Sequence, residues 1–192
     1  MSSDSTEDKS RRRFLTAATS AVGAVGLGFV AWPFLSTWNP SARAQSAGAP
    51  VEADIGKLEP GQQLIVKWRG KPVWVVRRDA EAIATLDKVS GELRDPNSDE
   101  SNQPAYAKNK TRSIKEEYLV VVGICTHLGC SPTFRPEITA DWMGGFFCPC
   151  HGSKFDYSGR VFQGVPAPTN LEIPPYRFVS DNVVLIGEDG VA

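Results

Sequence analysis

Six potential metal ligands constrain this sequence more than anything else in it. The chain has 192 residues but only four Cys and two His, and all six fall between Cys125 and His151. They form two short runs, Cys125-Thr126-His127-Leu128-Gly129-Cys130 and Cys148-Pro149-Cys150-His151-Gly152-Ser153. Each run follows an apolar segment of strand character, so each is expected at a strand end, held by a rigid scaffold. A net charge of -1 argues against nucleic acid as a partner, because such affinity rests on a basic surface.

The amino-terminal segment reads as an address and an anchor. Residues 1–10 are polar and read as a disordered, solvated tail. Arg11-Arg12-Arg13-Phe14-Leu15 follows, and no charge occurs from Phe14 to Ala42. The apolar part, Ala17 to Leu35, has 19 residues. A helix of that length spans roughly 28 Å, close to a bilayer core. Trp32 and Trp38 lie at its far end, where interfacial aromatics belong. Lys9 and three Arg precede it while only Arg43 follows closely, which puts the amino terminus in the cytoplasm and the rest outside; the expected setting is a bacterial inner membrane with a periplasmic domain.

Paired Arg ahead of Phe-Leu and a Gly/Ala-rich helix also resembles a twin-arginine export signal, which implies export after folding. Ala42-Arg43-Ala44 fits the small-x-small cleavage rule, and our reading is that the segment is retained. Residues 39–50, rich in small residues with Pro40, Gly48 and Pro50, read as a flexible hinge. The expected organisation is a tail with the export signal (1–13), a transmembrane anchor (14–38), the hinge (39–50) and an exported domain (51–192).

That domain reads as mainly β. From residue 44 onward it carries 16 Lys+Arg and 19 Asp+Glu, an excess of three negative charges. Strand signals recur at Leu64–Trp68 and Val73–Val76, around a turn at Arg69-Gly70-Lys71-Pro72. Tyr118 to Ile124 is a near-continuous apolar run, hence a strand covered on both faces. Gly145–Phe147, Leu171–Ile173, Tyr176–Val179 and Val183–Ile186 complete the set, with Asp181-Asn182 as the last hairpin turn. Short strands separated by turns indicate an antiparallel sandwich or barrel. Residues 79–117 hold 15 charged residues of 39 and break the pattern. Ala80 to Lys88 reads as a short helix, and Asp95 to Pro104 as surface loop.

The chemistry of the two runs leaves several partitions open. Structural zinc sites favour pairs such as Cys-x₂-Cys, whereas the Cys–His spacings here are Cys-x-His and Cys-x₂-His, leaving two Cys over. In an oxidising compartment two spare thiols near one another pair as a disulfide. The remaining two Cys and two His suit zinc, or a 2Fe-2S cluster with two Cys on one iron and two His on the other. Two plain disulfides with idle His are a further reading.

The two runs resemble the ligand loops of the Rieske iron–sulfur proteins, in their full six-residue form. The resemblance implies one 2Fe-2S cluster, with Cys125 and Cys148 on one iron and His127 and His151 on the other. It also implies a disulfide between Cys130 and Cys150. Oxygenase-type Rieske domains lack those two Cys, so their presence points to the quinol-oxidising branch. Trp68-Arg69-Gly70-Lys71-Pro72-Val73, and Pro166-Ala167-Pro168 through Asn170-Leu171-Glu172-Ile173-Pro174, are similar to the Rieske subunits of ubiquinol-cytochrome c reductases, the cytochrome bc1 complexes.

By that resemblance the fold is a Rieske-type antiparallel β sandwich or barrel with a cluster-binding subdomain, plus one transmembrane helix. The implied partners are cytochrome b and cytochrome c1 in a dimeric complex, with ubiquinol as donor and the lipid bilayer around the anchor. His151 is then the ligand that meets quinol and His127 titrates beside it, with Leu128 lining the contact. Two imidazoles in place of two thiolates make the centre less negative and easier to reduce. The added electron raises the proton affinity of the imidazoles, coupling electron to proton uptake. Ser153 matches the family's serine donor to a bridging sulfide. Phe155 stands where many relatives have a Tyr donor to a ligand sulfur, which lowers the expected potential. Tyr157, close by, reads as a packing residue. The covering loop, Gly164 with Pro166, Ala167 and Pro168, carries Val165 where relatives often have Gly directly before Pro. The other readings are a Rieske subunit of an exported enzyme such as an arsenite oxidase, and an anchored module with structural zinc.

Overall fold

In the computed structural model, which describes residues 4–190, the chain divides into two compact units, one ending at Ser46 and the other starting at Ala47. The first is dominated by helix α1 (Asp4–Ser36). It begins ahead of the expected anchor, so the tail from Asp4 onward is helical and not irregular; residues 1–3 of that expectation lie outside the described residues. No Gly or Pro occurs between Asp4 and Val22, so nothing halts helix propagation into the tail. Its stretch from Asp8 to Ser36 is long and apolar enough to cross a membrane, with an 18-residue window of mean hydropathy 1.7. Phe14, Val22, Phe29 and Trp32 are all exposed, so the helix presents apolar side chains along its length. The hinge region is also partly helical. Ser41 caps a short helix α2 (Ala42–Ala47), its hydroxyl accepting from the Ala44 N–H at 3.2 Å.

The second unit contains three antiparallel sheets of three strands each. The first joins β1 (Val51–Asp54), β9 (Val183–Ile186) and β8 (Tyr176–Ser180), in that order. The second joins β2 (Gln63–Trp68), β3 (Lys71–Arg77) and β4 (Tyr118–Val122). The third, which carries the candidate site, joins β5 (Thr133–Ile138), β6 (Met143–Phe147) and β7 (Lys154–Phe155). Every residue of β4 is buried, as a continuous apolar run requires. The β2–β3 turn is tighter than expected. Arg69 (φ 49°) and Gly70 (φ 76°) suffice for it, because both adopt the left-handed conformation that matches strand twist, and β3 already starts at Lys71.

One hydrophobic core runs through all three sheets and includes Cys125 and Cys148, so the ligand loops rest on the same packed interior as the scaffold. Trp74 of β3 stacks on Phe146 of β6 with ring centroids 5.2 Å apart, tying the second sheet to the third. Helix α3 (Ala80–Lys88) forms where expected, with Asp79 accepting from the Ala82 N–H at 2.7 Å as its cap. Two further expectations fail. Leu171–Ile173 is not a strand, and the stretch from Asp95 to Pro104 is not all surface loop, because Asp95 and Ser98 are buried.

Candidate metal centre

Strand β4 releases the chain at Gly123, where only glycine fits, since a Cβ would overlap the Trp74 indole. From Cys125 the first loop closes on itself. The Cys125 N–H donates to the Cys130 carbonyl at 2.7 Å, and the Gly129 N–H donates to the Cys125 carbonyl at 3.0 Å. The second loop, entered from β6, repeats this closure. The Cys148 N–H donates to the Ser153 carbonyl at 2.8 Å, and the Gly152 N–H to the Cys148 carbonyl at 2.9 Å. The fifth residue of each is a glycine at positive φ, 83° for Gly129 and 77° for Gly152, which other residues rarely adopt. Two loops of one shape are joined by the disulfide Cys130–Cys150, whose Cα atoms are 6.7 Å apart.

That disulfide leaves Cys125 and Cys148 as the free cysteines, both buried. Burial pushes the Cys125 thiol up, and hydrogen bonding to Cys148 adds to the effect. A bound cation inverts that preference and holds a coordinating sulfur as thiolate. The rings of His127 and His151 meet edge to face with centroids 4.8 Å apart. His151 is exposed and His127 half-buried, with its Nδ1 enclosed and lacking any hydrogen-bond partner. Leu128 stands beside them, 72% exposed.

An unsatisfied buried nitrogen costs about 1–3 kcal/mol, a cost that metal ligation through His127 Nδ1 would remove. Buried free thiols and an orphaned imidazole nitrogen in adjoining loops are the donor set that mixed 2Fe-2S ligation needs, so these residues fit such a cluster. Cys130, Cys148 and Cys150 also have sulfurs within 4.8 Å of one another. Two of those are bonded to each other, however, and offer no thiolate.

The surrounding residues fall as follows. Ser153 is fully buried. Its Oγ accepts from the Ala167 N–H at 3.1 Å, and the side chain favours the Cys125 thiolate, partly opposing the effect of burial. In the covering loop, Gly164, Pro166 and Pro168 are exposed, Ala167 is buried and Val165 packs against the core. Thr126, which the sequence reading passed over, fastens the first ligand loop to that segment through its hydroxyl, donating to the Thr169 carbonyl at 2.7 Å. Phe155 is fully buried, paired with Phe146 across β6–β7. The Tyr157 hydroxyl donates to the Pro136 carbonyl at 2.7 Å and its ring packs over Gly144. Burial raises its pKa to about 12. It is a packing residue.

Sequence reasoning also missed Asp156, Arg160 and Asn170, buried just behind the second ligand loop. Asp156 accepts from the N–H groups of Ser158 and Arg160, at 2.9 and 2.8 Å, and pairs with the Arg160 guanidinium. Asp-x-Ser-Gly-Arg is a turn signal, and it was the available clue.

Three small sheets, the third presenting two Cys/His loops bridged by a disulfide, define a Rieske-type iron–sulfur protein. The Rieske [2Fe-2S] domain model matches residues 98–176, and the model for the TAT signal of the ubiquinol-cytochrome c reductase Fe-S subunit matches residues 1–41. The ubiquinol-cytochrome c reductase iron-sulfur subunit of Allochromatium vinosum is 62% identical over 187 residues, covering 95% of this chain and 90% of the relative. That of Blastochloris viridis is 48% identical over 193 residues, covering both chains fully. A chain from a structure titled "Hyperthermophilic respiratory Complex III" superposes with TM-score 0.51 at 28% identity, covering 88% of this chain and 98% of that one.

This chain belongs to the ubiquinol-cytochrome c reductase iron-sulfur subunits, and its cofactor is a 2Fe-2S cluster. The zinc and arsenite-oxidase readings are not favoured. The apolar helix and the export-signal match fit a membrane-anchored subunit.

Proposed function

We propose that the chain is the electron-transfer subunit that oxidises ubiquinol and passes the electron to a c-type cytochrome within a respiratory bc1-type complex. The observation that carries this reading is the enclosed, partnerless Nδ1 of His127 beside two buried free cysteines, at a tip crowned by exposed Leu128 and His151. Cys125 and Cys148 would hold one iron, and His127, through its enclosed Nδ1, and His151 the other. When bound, the cluster supplies one-electron capacity at the raised potential of mixed Cys/His ligation.

The chain's own residues do the rest. The exposed His151 ring accepts a hydrogen bond from the quinol hydroxyl at Nε2 and takes its proton there. Leu128 offers the apolar contact for the quinone ring. His127 lies edge to face against the His151 ring, with ring centroids 4.8 Å apart. Ser153 would donate to a sulfide of the cluster, and the loop from Gly164 to Pro168 excludes water from the buried side. Residues 1–13 are cytoplasmic, 14–38 span the inner membrane, 39–50 form the hinge, and 51–192 lie in the periplasm. Cytochrome b and cytochrome c1 are the partners, in a dimeric complex.

Low-temperature EPR of dithionite-reduced membranes tests this, with and without a quinol-site inhibitor. A Rieske-type spectrum whose line shape responds to the inhibitor is expected, and it should vanish in His151→Ala. Stoichiometric zinc without acid-labile sulfide, or normal quinol oxidation in His151→Ala, would overturn it.

A further inference from the structure

Three arginines lie at the centre of the second unit, Arg78, Arg112 and Arg160, none more than 2% exposed. Two of them are held by neutral oxygens. The Arg78 guanidinium donates to the carbonyls of Thr111 and Tyr157 and to the hydroxyls of Ser158 and Ser113. Arg112 donates to Gln103 Oε1 and to the carbonyls of Ser158, Gly159 and Leu171. Arg160 alone is paired with a carboxylate, reaching Asp156 Oδ2 through Nε at 2.8 Å and Nη2 at 2.7 Å.

Among the described residues one other buried carboxylate exists, Asp95. Carbonyls and hydroxyls satisfy N–H groups but cancel no charge. Three buried cations therefore stand against two buried anions, an excess of one buried positive charge that the exposed, solvent-screened Glu116 offsets only in part. Burial lowers Arg78 and Arg112 only to about 10, so both remain charged at neutral pH.

This cage grips the turn Asp156–Arg160, which directly follows the second ligand loop. The Cys148 N–H bonds to Ser153, and Asp156 is three residues further along β7 and its continuation. At about 3.4 Å per residue that is roughly 10 Å. Ser153, Phe155 and Asp156 are all buried, so the path runs through protein, where salt screens little.

We propose that the cage of Arg78, Arg112 and Arg160 is an electrostatic tuning element: its excess of buried positive charge behind the Cys148–Ser153 loop raises the reduction potential of the centre. The inference rests on the function proposed above. A unit charge about 10 Å away at an effective dielectric constant of about 20 changes an equilibrium constant by roughly 10- to 20-fold. For a one-electron couple a factor of ten is about 59 mV.

The test is an EPR-monitored redox titration of the full-length protein in its complex. Gln103→Glu sets a carboxylate of the same shape against the Arg112 Nε and should make the reduced state up to about tenfold less favoured. Asp156→Asn removes a buried anion and should shift the potential upward. A purely structural cage would move both variants the same way, or neither. An unchanged or raised potential in Gln103→Glu, or a lowered one in Asp156→Asn, overturns the inference. If Asp156→Asn does not accumulate, Gln103→Glu decides alone. Absence of a Rieske-type signal from the unmodified protein would instead overturn the functional reading, and this inference with it.

Discussion

Replacing Cys130 and Cys150 together by serine would cut the covalent link between the ligand loops while leaving each loop's own closure intact. Each keeps two backbone hydrogen bonds, from Cys125 and Gly129 in one and from Cys148 and Gly152 in the other. The link closes a ring with a sequence separation of 20. A ring of that size restricts the unfolded chain by about 3 kcal/mol. At about 2–4 °C per kcal/mol for a unit of this length, the midpoint of thermal unfolding should fall by roughly 6–12 °C.

The loops then remain fastened from behind, through Thr126 to Thr169 and Ser153 to Ala167. The cluster should therefore assemble and be lost at a correspondingly lower temperature. Heating membranes of parent and variant while following the amplitude of the reduced EPR signal measures the shift. A fall under about 2 °C would show that the ring constraint does not hold the loops together. A folded variant that never acquires a cluster would show that the loops' own hydrogen bonds cannot shape the site.

Two substitutions separate the aromatic residues behind the cluster. Phe155→Tyr adds a hydroxyl at a fully buried position, where an unpaired donor costs about 1–3 kcal/mol, so it must find an acceptor. If that acceptor is a ligand sulfur the midpoint potential rises, which voltammetry reads; an unchanged or lower value refutes the argument. Tyr157→Phe removes the bond to Pro136 and should cost about 1 kcal/mol with no change in potential. Because burial raises the Tyr157 pKa to about 12 from its ordinary 10, its stabilising effect is complete below pH 10 and is lost as pH rises from 10 to 12. Urea midpoints at pH 9 and pH 11 should therefore converge more in the Phe variant, and a shifted potential would refute the packing role.

The parts of the fold legible in the sequence are those where one local pattern meets one environment. Tyr118 to Val122 could be read because a strand buried on both faces needs a continuous apolar run, and the run is there. Strand β5 could not. It carries Arg135, Pro136 and Glu137 and faces solvent over most of its length, so no periodicity marks it. Leu171–Ile173 misled for the opposite reason. Its apolar alternation suits a strand, yet Leu171 donates to Gly159, Glu172 accepts from Val122 and Ile173 donates to Asn102. Three partners in three segments give no ladder. The buried arginines were hidden by their own chemistry. A charged residue reads as surface, and only long-range carbonyl partners make Arg112 an interior residue.

The ligand runs were legible for a reason that the loop geometry sharpens. Spacing alone treats Cys-x-His and Cys-x₂-His as different motifs. In three dimensions their common frame is a first-position Cys and a fifth-position Gly, the residues that close each loop through the same pair of hydrogen bonds. Within that frame His occupies the third position of one loop and the fourth of the other, and the bridging Cys the sixth and the third. The two loops therefore share a shape but not an assignment of ligand and brace. One of them leaves its imidazole half-covered, with Nδ1 enclosed, while the other leaves its imidazole exposed. An asymmetric pair of His on a near-repeated backbone is what a centre needs if one ring is to meet an incoming donor while its neighbour stays shielded.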